Sequence, residues 1–250
     1  AECEPAAAGN REVVTSDAGL AFVAAALERA FTLLDASDRP LVKLREQTLL
    51  LLREVSRRQD LVHGLAFGAK FLPRALAATE AEDARVVRAG LAVLRNFSCN
   101  EEVRDELTLL GDGAQRCARA VARHLATPAV CEQGFGLFAN LTMRPSPIAA
   151  ALAGNEPGLV DLGLRVLRAH PGRPDVSRVA THALRNTATQ DEAAAREVKE
   201  SGIFEEVRRT VREHESDAKW RACVDISRQF LREFRADEGM EKKAQYNQFY

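Results

Sequence analysis

Apolar residues follow a helical period along most of the chain, and one short pattern recurs at long intervals. It occurs at Leu94–Asn96, Phe138–Asn140 and Leu184–Asn186, where the Asn residues lie 44 and 46 positions apart. Related segments lie one interval before and after these, at Leu52–Glu54 and Leu231–Glu233. A period of about 40 to 47 residues with helical patterning between its marks is typical of stacked helical repeats.

Each repeat is predicted to contain a short, a medium and a long helix, with Gly between the first two. In the third repeat these are Asn100–Leu110, Ala114–Ala126 and Pro128–Leu141, because Gly111–Gly113 breaks the first helix and Pro128 suits a first helical position. The same order is predicted at Asp60–Phe67, Phe71–Thr79 and Asp83–Phe97, at Pro147–Ala153, Leu159–His170 and Asp175–Thr187, and at Asp191–Glu200, Ile203–His214 and Asp217–Phe234.

The first repeat is incomplete: Phe22–Asp35 and Pro40–Val55 serve as its second and third helices, and Arg11–Ala18 is a weak first helix. This weak start, in a chain that begins at Ala1 without Met, suggests that further repeats preceded it in a longer protein. Residues 1–18 are expected to be weakly ordered, and residues 235–250 to form a polar cap or tail. The aromatic side chains of Tyr246, Phe249 and Tyr250 are expected either to pack on the last repeat or to dock on a partner.

Three helices per repeat favour the armadillo unit over the two-helix HEAT unit, and strand signals are absent. We therefore predict an all-α fold, an armadillo-type right-handed α-solenoid of about four full three-helix repeats plus a partial N-terminal repeat. One repeat cannot bury its apolar face alone, so neighbouring repeats must stack. The predicted solenoid spans residues 19–234, with repeats at 19–58, 59–99, 100–143, 144–189 and 190–234.

Equivalent positions of stacked repeats form rows on one surface. Asn96, Asn140 and Asn186 form one row, with Glu54 and Glu233 at its ends. An Asn side chain carries donors and an acceptor, so it can pair with the backbone of a bound peptide. The alternative is that these side chains bridge helix ends inside the solenoid.

A second row contains Arg53, Arg95, Arg185 and Arg232, interrupted at Ala139. Arginines in a row can bind carboxylate or phosphoryl groups of a partner, or pair with Glu of adjacent repeats. His182 lies four positions before Asn186 and so shares its helix face, where it either contacts a partner or makes structural hydrogen bonds.

The recurring Leu-Arg-Asn segments resemble the third helix of armadillo repeats. His124–Gln133 and Val166–Pro171 are similar to the armadillo repeat-containing protein 6 family, over about residues 85 to 235. The resemblance implies a non-enzymatic interaction protein whose third helices line a concave groove for an extended or acidic segment. Nuclear-import receptors of this class carry Trp one turn before the Asn, where this chain has Ala92, Gly136 and His182, so that mode of recognition is not predicted.

No catalytic motif accompanies this pattern. The five histidines include no His-Glu-x-x-His pair, and there is no Cys-x-x-Cys or phosphate-binding Gly loop. The nearest ligand set is Cys117, His124 and Cys131, but Cys117 and His124 are two helical turns apart, about 10 Å. We expect no catalytic residue, metal, cofactor or small-molecule substrate.

Charge and cysteine content narrow the possible ligands and cellular compartments further. The net charge is −1, which argues against nucleic-acid binding, and no apolar stretch reaches the ~18 to 20 residues of a membrane span. The five cysteines are odd in number and widely spaced, which favours a reducing compartment such as the cytoplasm, with a cilium, an axoneme or an organelle interior as the alternative.

These expectations favour a scaffold that binds another protein on the concave third-helix surface. The alternative is a structural armadillo subunit fixed in a large assembly, axonemal, ciliary or organellar.

Overall fold

The computed structural model describes residues 17–35, 41–108, 112–143 and 157–247, with side chains for 21–34, 41–108, 112–143 and 157–234. These residues are all-helical and contain no strand. They fall into two compact units, residues 1–100 and residues 101–250. The division falls one residue after the position predicted for the boundary between the second and third repeats, and the repeat bounds stay a prediction.

The described residues of unit 1 form four α-helices. They are α1 (Asp17–Asp35), α2 (Val42–Val55), α3 (Phe71–Ala78) and α4 (Ala84–Phe97). Helix α4 packs against both α2 and α3, and α1 packs against α2. The carboxylate of Asp83 accepts a hydrogen bond from the backbone N–H of Arg85, which caps α4 at its N-terminus.

Unit 2 contains eight α-helices among its described residues. They are α5 (Glu101–Thr108), α6 (Gly113–Arg123), α7 (Pro128–Leu141), α8 (Leu159–Ala169), α9 (Pro174–Gln190), α10 (Glu192–Glu200), α11 (Ile203–His214) and α12 (Arg221–Asn247). Helix α9 contacts both α7 and α12, so the third helices of three predicted repeats pack one after another. Their buried faces carry Phe135, Phe138, Leu184 and Phe230.

The predicted and observed helices agree closely at three places in unit 2. Helices α7 and α11 have the predicted bounds, and α9 begins one residue earlier and ends three residues later than predicted. The all-α prediction is confirmed, while the solenoid class and the repeat number stay predictions.

The predicted helix Asp60–Phe67 is wrong in type. The chain instead forms a 3₁₀ turn at Gln59–Leu61 and a π-helical turn at Gly64–Gly68. The backbone N–H of Ala69 donates to the carbonyl of Gly64 at 2.8 Å, an i to i+5 bond. Two glycines within five residues weaken the α-helix enough for this wider turn to form.

At both ends of the chain, helices extend into segments that were predicted to be weakly ordered or to form a cap or tail. Helix α12 continues to Asn247, beyond its predicted end at Phe234, so part of the predicted cap or tail at residues 235–250 is helical. At the other end, Asp17 and Ala18 begin α1. The predicted helix Pro147–Ala153 and residues 1–16 lie outside the described residues.

Glycine allows one tight turn and one close helix contact. Gly202, with φ of 86°, turns the chain from α10 into α11 as predicted for the Gly between first and second helices. Gly90 lets α4 approach α3, because a Cβ placed there would lie 2.8 Å from the Cβ of Ala78 and 3.0 Å from the carbonyl oxygen of Ala75. In the second predicted repeat, Lys70 rather than a glycine adopts the left-handed backbone conformation just before α3, with φ of 54°.

Candidate protein-binding surface

Asn96 and Asn186 of the asparagine row bind neighbouring third helices within the chain. In unit 1, Asn96 Nδ2 donates to the carbonyl oxygen of Arg53 at 2.9 Å and to Ser56 Oγ at 3.1 Å. In unit 2, Asn186 Nδ2 donates to the carbonyl oxygen of Ala139 at 3.2 Å. Each amide therefore reaches the residue just before the equivalent position of the preceding repeat.

These bonds have a clear structural role. The last carbonyl groups of a helix have no partner inside that helix, and leaving one buried without a partner costs free energy. Asn186 is only 8% exposed, so its side chain lies in the interior. Asn140 is half-buried on α7. The placement of Asn96 and Asn186 matches the bridging alternative for this row.

Arg185 and Arg53 of the arginine row contact carboxylates of the same chain. Arg185 on α9 forms two parallel hydrogen bonds to the carboxylate of Glu233 on α12, each 2.6 Å long. Arg53 lies 3.5 Å from the carboxylate of Glu54. Arg95 is half-buried on α4, and Arg232 is exposed on α12.

The Arg185–Glu233 pair fixes α9 against α12. The hydrogen bonds from Arg185 hold the pKa of Glu233 below its ordinary value, so the carboxylate stays ionised. A bidentate geometry orients both side chains more narrowly than a single ion pair would. This is the Arg-to-Glu pairing between adjacent repeats considered from the sequence.

His182 lies on the same face of α9, between Arg178 and Arg185. Burial, and then the charges of Arg185 and Arg178, lower the pKa of its imidazole. The half-buried ring is therefore neutral at neutral pH and offers one donor and one acceptor nitrogen. We call the residues Arg178, His182, Arg185, Gln229 and Glu233 the α9–α12 strip.

The aromatic residues predicted at the C-terminus are described only in part. Tyr246 belongs to α12, without a described side chain, and Phe249 and Tyr250 lie outside the described residues.

Sequence reasoning missed a row of histidines at the ends of second helices. His124, His170 and His214 lie 46 and 44 positions apart, a spacing that the same repeat search could have found. Nε2 of His170 lies 2.8 Å from the carbonyl oxygen of Leu125, which can only accept, so the ring donates. His214 stacks on Trp220 with ring centroids 3.7 Å apart. His170 and His214 therefore join separate helix ends within unit 2.

A groove between α11 and α12 was also missed. It has a volume of about 450 Å³. Its lining consists of four arginines and two aliphatic residues: Arg208, Val211, Arg212, Arg228, Leu231 and Arg232. The sequence signal is an Arg-x-x-apolar-Arg segment that occurs once on each helix.

Two of the cysteine thiols, on α6 and α7, are buried in the interior. Burial raises the pKa of Cys117 and of Cys131 to about 12, which keeps both thiols protonated at neutral pH. In the described ranges no three His, Cys, Asp or Glu side chains are placed to hold a metal ion. No described helix has the length and apolar character needed to cross a bilayer.

Comparison with models of known protein families and with curated proteins finds no match to this chain.

Proposed function

We propose that this chain is an armadillo-type helical-repeat scaffold that binds a segment of another protein and catalyses no reaction. The observation that carries the proposal is the repeated bond from Asn96 to Arg53 and from Asn186 to Ala139. A bond that recurs in the same register in both units is what stacked equivalent repeats would produce. Stacked repeats characteristically provide extended binding surfaces.

The α9–α12 strip is the part of the third-helix surface that we assign to binding. Asn96 and Asn186 are engaged within the chain, so we assign them to holding the repeats together. The strip instead offers the neutral ring of His182 and the guanidinium group of Arg178. The ring of His182 can hydrogen-bond the backbone amides of an extended partner segment, and the guanidinium group of Arg178 can donate to a carboxylate of an acidic one.

The proposal is tested by recovery of partners from native extract. The double variant Arg178→Ala/His182→Ala removes the two groups of the strip that are not needed for the Arg185–Glu233 pair. We expect recovery of the specific partner to fall about tenfold, since hydrogen bonds to charged groups contribute on the order of 1.5 to 3 kcal/mol. The matched control is Arg196→Ala/Glu200→Ala on the exposed side of α10. Equal recovery by all three proteins would contradict the assignment.

A second candidate function is a structural subunit fixed in a large assembly. It is favoured by exposed apolar side chains in unit 1: Phe22 is 74% exposed and Leu33 53% on α1, and Leu44 and Leu51 are exposed on α2. Apolar groups grouped on neighbouring helices mark surfaces that become covered in an assembly. A chain recovered only in one complex of fixed stoichiometry would favour this function over a scaffold with exchanging partners.

A further inference from the structure

The groove between α11 and α12 presents the same chemistry from both of its walls. On α11, Arg208, Val211 and Arg212 are three and four positions apart, and residues at this spacing share one helix face. On α12, Arg228, Leu231 and Arg232 repeat the arrangement. All four charged groups that line the groove are therefore cationic, and both uncharged ones are aliphatic.

Arg208 on α11 and Arg228 on α12 are held in place by contacts within the chain. Arg208 Nη1 donates to Glu205 at 2.6 Å, and the guanidinium carbon of Arg208 lies 5.8 Å from the ring centroid of Phe204. Arg228 pairs with Glu215. Arg208 Nε is buried and has no hydrogen-bond partner among the described residues.

The other two arginines are open to a partner. Arg212 and Arg232 are exposed, and neither is salt-bridged to a carboxylate in the described part of the chain. Arginine presents a planar set of donors that matches a carboxylate in two-point contact. Val211 and Leu231, both half-buried, supply the aliphatic surface beside them.

We propose that this groove binds an acidic amphipathic segment of another protein. Its aliphatic side chains would lie on Val211 and Leu231, and its carboxylates would pair with Arg212 and Arg232. The proposal rests on the scaffold function for the class of ligand, but it uses residues other than those of the α9–α12 strip. The aliphatic surface favours a peptide over a nucleic acid, whose backbone would leave that surface uncovered.

The test uses the full chain and a fluorescent synthetic peptide of Leu and Glu at helical spacing. Two control peptides replace every Glu by Gln, or every Leu by Ser. The groove variant is Arg212→Gln/Arg232→Gln. The matched control, Arg173→Gln/Arg196→Gln, removes the same charge from exposed positions elsewhere in unit 2. Because all four residues are exposed, we expect both variants to unfold at the same temperature as the original chain.

Fluorescence anisotropy should show about tenfold weaker binding of the Leu–Glu peptide to the groove variant, since two rim ion pairs are lost, and unchanged binding to the control. Both control peptides should bind more weakly than the Leu–Glu peptide to the original chain. Equal affinity for both variants, no binding to the original chain, or tighter binding of a duplex RNA would overturn the proposal. Self-association that the groove variant abolishes would assign the groove to a second copy instead. None of these results would alter partner recovery through Arg178 and His182, so the two proposals fail separately.

Discussion

At the scale of single residues, a side-chain amide links successive third helices beside their apolar packing. Asn186 is buried and reaches the carbonyl oxygen of Ala139, and Asn96 makes the equivalent bond to Arg53. The sequence predicted the position of both residues from their spacing. It could not predict their hydrogen-bond partners, because an amide on a helix face can point toward a bound segment or toward the preceding helix.

Replacing Asn186 by Ala should lower the free energy of unfolding by about 1 to 3 kcal/mol, because the buried carbonyl of Ala139 loses its amide donor and keeps only a longer hydrogen bond of 3.4 Å from Thr142 Oγ1. Urea unfolding followed by circular dichroism measures the change. Gln47→Ala, which truncates an exposed amide on α2, is the control and should change stability by less than about 0.5 kcal/mol. A loss no larger for Asn186 than for Gln47 would show that the bond contributes nothing.

Gly90 is a second residue whose contribution to stability can be measured. An added Cβ would lie 2.8 Å from Ala78 and 3.0 Å from a backbone oxygen, so Gly90→Ala should destabilise unit 1 by about 1 to 3 kcal/mol. A Cβ at Gly64 would meet nothing within 4 Å, which makes Gly64→Ala the matched control. The same urea measurement applies, and equal stability of the two variants would contradict the close contact of α3 and α4.

At the scale of elements, helices were predictable where local chemistry fixes their ends. Asp83 and Asp191 cap α4 and α10 with their carboxylates, and Pro128 begins α7. The π-helical turn at Gly64–Gly68 was not predictable, because glycine weakens a helix without specifying which wider turn replaces it. The groove between α11 and α12 was missed because the repeat search compared one helix per repeat, whereas the groove combines two helices of one repeat.

The pairing of α9 with α12 has a consequence for pH dependence. Because Arg185 lowers the pKa of Glu233 in the folded chain, the pair contributes stability above the ordinary carboxyl pKa of 4.5. That contribution is lost as the pH falls through the lowered pKa of Glu233. Between pH 6 and pH 3, the midpoint temperature of thermal unfolding should therefore fall more steeply for the original chain than for Glu233→Gln.

The control for this prediction is Glu200→Gln, which changes an exposed carboxyl group on α10. Its pH profile should follow that of the original chain. Parallel profiles for the original chain and Glu233→Gln would mean that the Arg185 pair does not stabilise the fold.

At the scale of the whole molecule, the two units carry different surface chemistry. Of the six exposed large hydrophobic side chains among the described residues, all but Met143 lie between Phe22 and Leu51 in unit 1. Unit 2 carries the α9–α12 strip and the arginine-lined groove. With a net charge of only −1, these local features, rather than the total charge, would select partners.

The exposed apolar side chains of unit 1 should bind a hydrophobic dye. Phe22→Ser/Leu33→Ser removes the two most exposed groups of α1, so binding of a hydrophobic dye should decrease while helical content is unchanged. Under the assembly alternative, the same variant would also fail to enter its complex. Unchanged dye binding would show that these side chains are covered in solution.

The most direct test of the scaffold function is photo-crosslinking in native extract, with the reactive amino acid placed at His182 in the strip. The same amino acid at the exposed position Arg196 on α10 is the control. We predict a discrete adduct with a partner protein from position 182, absent from position 196, in which the crosslinked peptide is extended or acidic. No adduct from position 182, or the same adducts from both positions, would contradict binding at the α9–α12 strip.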